Sequence, residues 1–153
     1  MANREVRASR LHHIGITVSD LEASIRFYSA VSDGEVLGPF EKSGPAVDAA
    51  TGYPGVVVRQ AFVRLPGGDT LIELLQYQGG SGHAIDPDNG HVGAAHPAIE
   101  VGDLDVALEA ATANGGVPLS EAKVATEGPM EGCRYLYVIG PDRVRVELVE
   151  PPA

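Results

Sequence analysis

The chain contains an internal repeat, and a repeat restricts the possible folds more than any local propensity does. LHHIGITVSDLEASIRFYSAV near the start is echoed by AHPAIEVGDLDVALEAATANGG. With His13 aligned to His96, Val18 falls on Val101, Asp20 on Asp103 and Leu21 on Leu104, each pair 83 positions apart. A second pair of segments follows in the same order, TLIELLQY around Glu73 and VRVELVEP around Glu147, now 74 positions apart. One insertion in the first half accounts for the change of offset.

Each half reads as β-α-β-β-β. Ile14, Ile16 and Val18 alternate with His13, Gly15 and Thr17, the period of a strand. Ser19-Asp20-Leu21-Glu22 then has capping-box spacing, and Leu21, Ile25 and Tyr28 recur at helical period. In the second half Asp103 is the expected N-cap, Leu104, Ala107, Leu108 and Ala111 form the apolar stripe, and Gly115-Gly116 closes the helix. Each half ends in a hairpin. One turns through Pro66-Gly67-Gly68-Asp69 and the other through Gly140-Pro141-Asp142. The expected class is therefore α+β, a single domain with module one over about residues 10–78, a linker over about 79–94 and module two over about 95–150. The Gly- and Pro-rich stretch from Gly34 to Gly55 holds the insertion and is a candidate lid.

Parity within the strands picks out four residues. His13 lies opposite Ile14 and Ile16, His96 opposite Ile99 and Val101, and Glu147 opposite Val146 and Leu148. Glu73 sits among Leu71, Leu75 and Tyr77, where an ionised carboxylate must be paired, hydrogen-bonded or metal-bound. A strand histidine taken singly is more often a core or surface residue than a ligand, and a strand glutamate is usually solvated. These four, however, occupy repeat-equivalent positions. A twofold arrangement would bring two imidazoles and two carboxylates together, a donor set suited to one divalent ion: Zn, Ni, Co, Mn or Fe. His12 has the parity of the helix-facing side, where a structural or sheet-edge role is expected, and His83 and His91 lie in the linker as solvated loop histidines. Asp86-Pro87-Asp88-Asn89-Gly90 begins like a calcium loop but lacks the closing glutamate and the flanking helices, so a plain turn is expected.

Charge and cysteine content exclude several classes. With 21 acidic and 11 basic residues the formal net charge is −10, which argues against a nucleic-acid surface. No stretch approaches the roughly 20 apolar residues of a membrane span. MANREVRASR has no apolar core after its charges, so it is expected to be a short, poorly ordered tail and not a secretory signal. One cysteine, Cys133, cannot form an internal disulfide, and a reducing, cytoplasmic setting fits. No Cys-His motif surrounds it, and a small packed residue at a strand start is the expected role.

On HHIGITVSDLEASIRFY, LIELLQY, HPAIEVGDLDVALE and VRVELVE, the chain from Leu11 to Glu150 resembles the vicinal oxygen chelate superfamily. That group includes glyoxalase I, methylmalonyl-CoA epimerase, extradiol dioxygenases, and fosfomycin- and bleomycin-resistance proteins. The resemblance implies two tandem β-α-β-β-β modules forming a cupped, barrel-like mixed sheet around a metal. It places the family's ligands on His13, Glu73, His96 and Glu147. A His-Glu-His-Glu set is most similar to the bacterial nickel- or cobalt-using glyoxalase I, whereas the epimerase usually has glutamine at the Glu73 position. The turn before the last strand departs from the family's Asp-Pro-Asp/Asn-Gly, reading Gly140-Pro141-Asp142-Arg143. The segment from Gly34 to Gly55 matches no glutathione- or CoA-binding signature.

The implied chemistry is that of a glyoxalase-like lyase or isomerase. A metal polarises one of two neighbouring oxygens of a small substrate while a carboxylate removes the adjacent proton. Glu147 is the preferred base and Glu73 the second candidate. Arg145, on the face of Glu147, either contacts an anionic group or faces solvent. Two alternatives stay open: an Fe(II) or Mn(II) dioxygenase using His13, His96 and Glu147, and a non-catalytic small-molecule (antibiotic) binding protein. A homodimer is expected, with the cup built either within one chain or across two.

Overall fold

In a computed structural model, residues 10–79 and 82–153 are described. The N-terminal tail expected over MANREVRASR lies almost wholly outside the described residues. Module one runs β1 (His13–Thr17), α1 (Leu21–Ser32), β2 (Glu35–Ser43), α2 (Pro45–Thr51), β3 (Val57–Arg64) and β4 (Leu71–Gln78). Module two runs β5 (Ala98–Glu100), α3 (Leu104–Ala113), β6 (Val117–Pro118), β7 (Lys123–Val124), β8 (Arg134–Ile139) and β9 (Arg145–Glu150).

Each module forms its own mixed sheet. The first has strand order β1-β4-β3-β2 and the second β5-β9-β8-β6, with β7 also pairing with β8. In both, the first strand lies parallel to the last, and the remaining pairs are antiparallel. The α+β class and the duplicated β-α-β-β-β plan thus stand as the repeat implied. Module two splits its second strand into two short pieces, β6 and β7.

Helix α1 starts where the sequence places it, but the cap is Asp20, whose Oδ1 accepts from the Ala23 N–H at 2.8 Å. Ser19 does not act as a capping-box residue. Its N–H and hydroxyl both donate to the Asp142 carboxylate, at 2.9 and 2.5 Å, tying the start of α1 to the β8–β9 turn of the other module. Asp103 caps α3 by accepting from the N–H groups of Asp105 and Val106. Gly115, at φ +87°, takes the chain out of α3 in the left-handed conformation that glycine adopts without strain.

One core serves both modules. Leu21, Phe27 and Tyr28 of α1 and Leu104 and Ala111 of α3 join Ile72 and Leu74 of β4 and Val146 and Leu148 of β9 in a single buried cluster. Ile14, Ile16 and Val18 point into this cluster or against it, as their alternation requires. The helices pack on each other, and each covers one face of its own module's sheet. By strand parity Glu73 and Glu147 lie on the opposite faces, away from the shared core. The segment from Gly34 to Gly55 is more ordered than a lid loop: it supplies β2 and the two-turn helix α2.

Candidate metal centre

The two halves each assemble one histidine-carboxylate pair. In module one, β1 lies parallel to β4 with Gly15 opposite Glu73. His13, two residues earlier, reaches the carboxylate from the same face, with Nε2 3.3 Å from Glu73 Oε2. Gly15 leaves the room this needs, since a Cβ there would stand 3.2 Å from Glu73 Oε2. In module two, β5 lies parallel to β9 with Ala98 opposite Glu147. His96, again two residues earlier, places its Nε2 3.3 Å from Glu147 Oε2. The same offset, the same atoms and the same distance recur in both halves, as the duplication of the sequence demands.

The structure does not bring the two pairs together within one chain. Among the described residues no three His, Cys, Asp or Glu side chains cluster closely enough to hold one ion. The pairs lie on different sheets that share no hydrogen-bonded ladder.

Each pair also has a partner that the sequence reading missed. On β3, buried Gln60 donates its amide N–H to Glu73 Oε1. On β8, Tyr137 stands directly opposite Glu147. Its hydroxyl donates to Glu147 Oε2 at 3.2 Å and lies 3.4 Å from His96 Nε2, with the two rings edge to face at 5.2 Å. Burial, and then the negative charge of Glu147, push the Tyr137 phenol above its ordinary value, so it remains a donor. The signal that could have found Tyr137 is register: once Glu147 is marked, the hairpin through Gly140-Pro141-Asp142 dictates its cross-strand neighbour.

His12 is not on the helix-facing side. It precedes β1, is exposed, and its Nδ1 lies 2.9 Å from His13 Nδ1. One of those nitrogens must carry a proton. If His13 donates, its Nε2 lone pair is left free to bind a metal, the usual way an outer partner fixes a ligand tautomer. His83 and His91 are exposed in the linker as expected, and Cys133 sits just before β8.

Arg145 neither faces solvent nor lies open to an anion. Its side chain is 12% exposed and bonds Asp88 Oδ2 at 2.5 Å, while Arg143 approaches Asp86 at 3.6 Å. Asp88 Oδ1 accepts from the Gly90 N–H, so the Asp86–Gly90 segment is a turn strapped to the start of β9. The Gly90 N–H, and then Arg145, hold the Asp88 carboxyl below its ordinary value.

The donor set fits a divalent ion. Ligand atoms about 2.0–2.2 Å from a metal, at tetrahedral or octahedral angles, stand roughly 3 Å from each other. Both His Nε2–Glu Oε2 separations are 3.3 Å.

Three comparisons bear on these two pairs. A family model described as the Glyoxalase/Bleomycin resistance protein/Dioxygenase superfamily matches residues 12–137. A 2-epi-5-epi-valiolone epimerase from Actinomyces sp. is 32% identical, the match covering 95% of this chain and 81% of that protein. Similar solved structures include a glyoxalase family protein from Bacillus cereus, with a TM-score of 0.85, 21% identity, and 99% and 100% of the two chains covered. The fosfomycin resistance protein FosX from Mesorhizobium loti follows at a TM-score of 0.58, 18% identity, and coverage of 93% and 91%. At these identities the structural likeness is one of fold.

Proposed function

Because the chain belongs to the glyoxalase/bleomycin resistance/dioxygenase superfamily, we propose that it is a metal-dependent isomerase of the epimerase kind. In this reading it inverts a carbon next to a carbonyl in a small substrate. The observation that carries this is the pair of repeat-equivalent histidine-carboxylate contacts, each with Nε2 and Oε2 3.3 Å apart. The epimerase relative supports the reaction type, and its named compound, 2-epi-5-epi-valiolone, is the first substrate to try.

His13, Glu73, His96 and Glu147 would hold one divalent ion, and two copies of the chain would be needed to do so. Module one of one subunit would face module two of the other, giving a homodimer with two sites. The ion, when bound, supplies Lewis-acid polarisation of a carbonyl or hydroxyl oxygen. Inversion needs a base on one side of the reacting carbon and an acid on the other. Two carboxylates brought in from opposite sheets provide both. Ionised Glu147 would take the proton and Glu73, protonated at the start of the cycle, would give its own to the other face; proton exchange with solvent would then restore both carboxyls. Tyr137 keeps Glu147 hydrogen-bonded through the exchange.

The test is a turnover assay in D2O on protein loaded with Ni(II), Co(II), Zn(II) or Mn(II). A stereocentre that inverts with incorporation of one solvent deuterium supports the reading. Substrate consumed together with oxygen, with no C–H exchange, would move the protein to the dioxygenase branch.

A further inference from the structure

The two halves repeat the histidine-carboxylate pair but not what stands behind it. In module two Tyr137, opposite Glu147, approaches both members of the pair. The matching position opposite Glu73 in module one is Phe62, which has no hydroxyl. Module one has a second imidazole instead. His12 precedes His13, whereas the repeat puts Ala95 before His96. The duplicated ligand is thus supported differently in each half.

His12 is held in place for this contact. Its carbonyl accepts from the Leu71 N–H at 3.2 Å, so its backbone extends the pairing with module one's last strand by one step, although β1 begins at His13. The two rings meet edge to face, with centroids 5.1 Å apart and planes at 86°. Nδ1 lies 2.9 Å from Nδ1, a full hydrogen bond, while His13 Nε2 is 3.3 Å from Glu73 Oε2. The His13 ring therefore bridges Glu73 and His12, one nitrogen to each.

A neutral imidazole carries one N–H and one bare nitrogen lone pair. Without an ion, a bare Nε2 facing a carboxylate oxygen would be repulsive, so the proton sits on Nε2 and Nδ1 accepts from His12. With an ion on Nε2 that proton must be gone, and Nδ1 becomes the donor. The hydrogen bond between the two Nδ1 atoms then has to reverse. A side chain that only donates, such as lysine, or only accepts, such as an ionised carboxylate, suits one state and opposes the other. An imidazole suits both. His12 is also exposed, so its own Nε2 can trade protons with water.

We propose that His12 is a positioning residue for metal loading at His13, a tautomer switch that reverses the Nδ1–Nδ1 hydrogen bond as the site fills. The proton on His12 Nδ1 passes to His13 Nδ1, the proton on His13 Nε2 leaves to solvent, and His12 Nε2 takes one up from solvent. Two neutral imidazoles stand before and after, so the exchange consumes no net acid or base. This rests on the reading of His13 as a ligand, and the experiment separates the two. The full-length chain, carrying isotope-labelled histidine, is followed by its imidazole nitrogen shifts in NMR at about pH 8, where an ordinary imidazole is neutral. Spectra are taken without metal and with Zn(II).

Without metal, His13 should carry its proton on Nε2 and His12 on Nδ1. With Zn(II) both should exchange: His13 to Nδ1–H with Nε2 coordinated, and His12 to Nε2–H with neither nitrogen coordinated. A role confined to packing would leave the His12 tautomer where it was. In competition against a chromophoric chelator, His12→Leu should weaken Zn(II) binding about tenfold. That is the lower end of the roughly 10–100-fold range for outer partners, because water reaches the 41% exposed His13 side chain. His12→Asn puts an amide, which both donates and accepts, where Nδ1 stood, and should stay within about threefold of wild type. His12 is exposed, so neither change should move the thermal unfolding curve. If His13→Ala loses Zn(II) but the wild-type His12 tautomer does not change on loading, the switch is overturned and the ligand assignment stands. Zn(II) held at full affinity by His13→Ala overturns both. The switch also fails if His12 itself coordinates Zn(II), if His12→Leu binds as tightly as wild type, or if His12→Asn is as weak as His12→Leu.

Discussion

Replacing Tyr137 with phenylalanine removes one oxygen and leaves the ring stacked edge-on against His96. The oxygen is placed to matter. Glu147 is 7% exposed, so water replaces a lost donor poorly, and the Tyr137 hydroxyl is its side-chain donor. A hydrogen bond to a charged acceptor contributes about 1.5–3 kcal/mol. The 3.2 Å separation is long for O–H···O, which puts this one at the lower end. About 1.4 kcal/mol is a factor of ten, and outer partners of metal ligands typically control affinity by about 10–100-fold. Tyr137→Phe should therefore weaken metal binding about tenfold. Competition against a chromophoric chelator for Zn(II) or Co(II) reads this directly, and an unchanged melting temperature would exclude a folding defect. Affinity within twofold of wild type, or tighter, would refute the role given to the phenol.

Three further outcomes follow from the packing. Among the described residues the buried Tyr28 hydroxyl has no partner, and burial holds that phenol well above its ordinary value, so Tyr28→Phe should stabilise the fold by about 1 kcal/mol in urea unfolding. At Gly116 an added Cβ would stand 2.8 Å from the Ala111 carbonyl oxygen and 2.9 Å from Phe27, so Gly116→Ala should cost about 1–3 kcal/mol in the same assay. Because its folded value is depressed, Asp88 stabilises the strap over residues 86–90 above the usual aspartate range, and that contribution is lost as pH falls through the lower folded value. Protection of the Gly90 and His91 amides, measured against their intrinsic exchange rates at each pH, should fall there, and Asp88→Asn should remove that loss of protection.

The parts of this structure legible in the sequence are those that the duplication writes twice. Strand parity placed His13, Glu73, His96 and Glu147 on the faces opposite the apolar stripe, and the Asp103 cap follows from local chemistry that needs no tertiary context. Contacts between modules were not legible. Ser19 looked like a helix cap because its spacing to Glu22 satisfies that rule, yet Asp142, 123 residues away, holds it instead. Arg145 shares a face with Glu147, but no periodicity reveals that a linker aspartate neutralises it. Gln60 and Tyr137 were missed because their importance comes from register across a hairpin and not from their own strand. The insertion at Gly34–Gly55 was recognised by its offset. The strand β2 belongs to the expected plan, whereas the added helix α2 was hidden by the glycines and prolines that punctuate the segment.

The central claim is that one site draws His13 and Glu73 from one copy of the chain and His96 and Glu147 from another. Subunit mixing tests it directly. One variant carries His13→Ala with Glu73→Ala, and the other His96→Ala with Glu147→Ala. Neither should bind metal tightly alone. If the site spans two chains, a mixed dimer pairs the intact module one of the second variant with the intact module two of the first. Unfolded together and refolded, the two variants should recover one high-affinity metal site per mixed dimer. No recovery, with mixed dimers demonstrated by native mass spectrometry, would contradict the account.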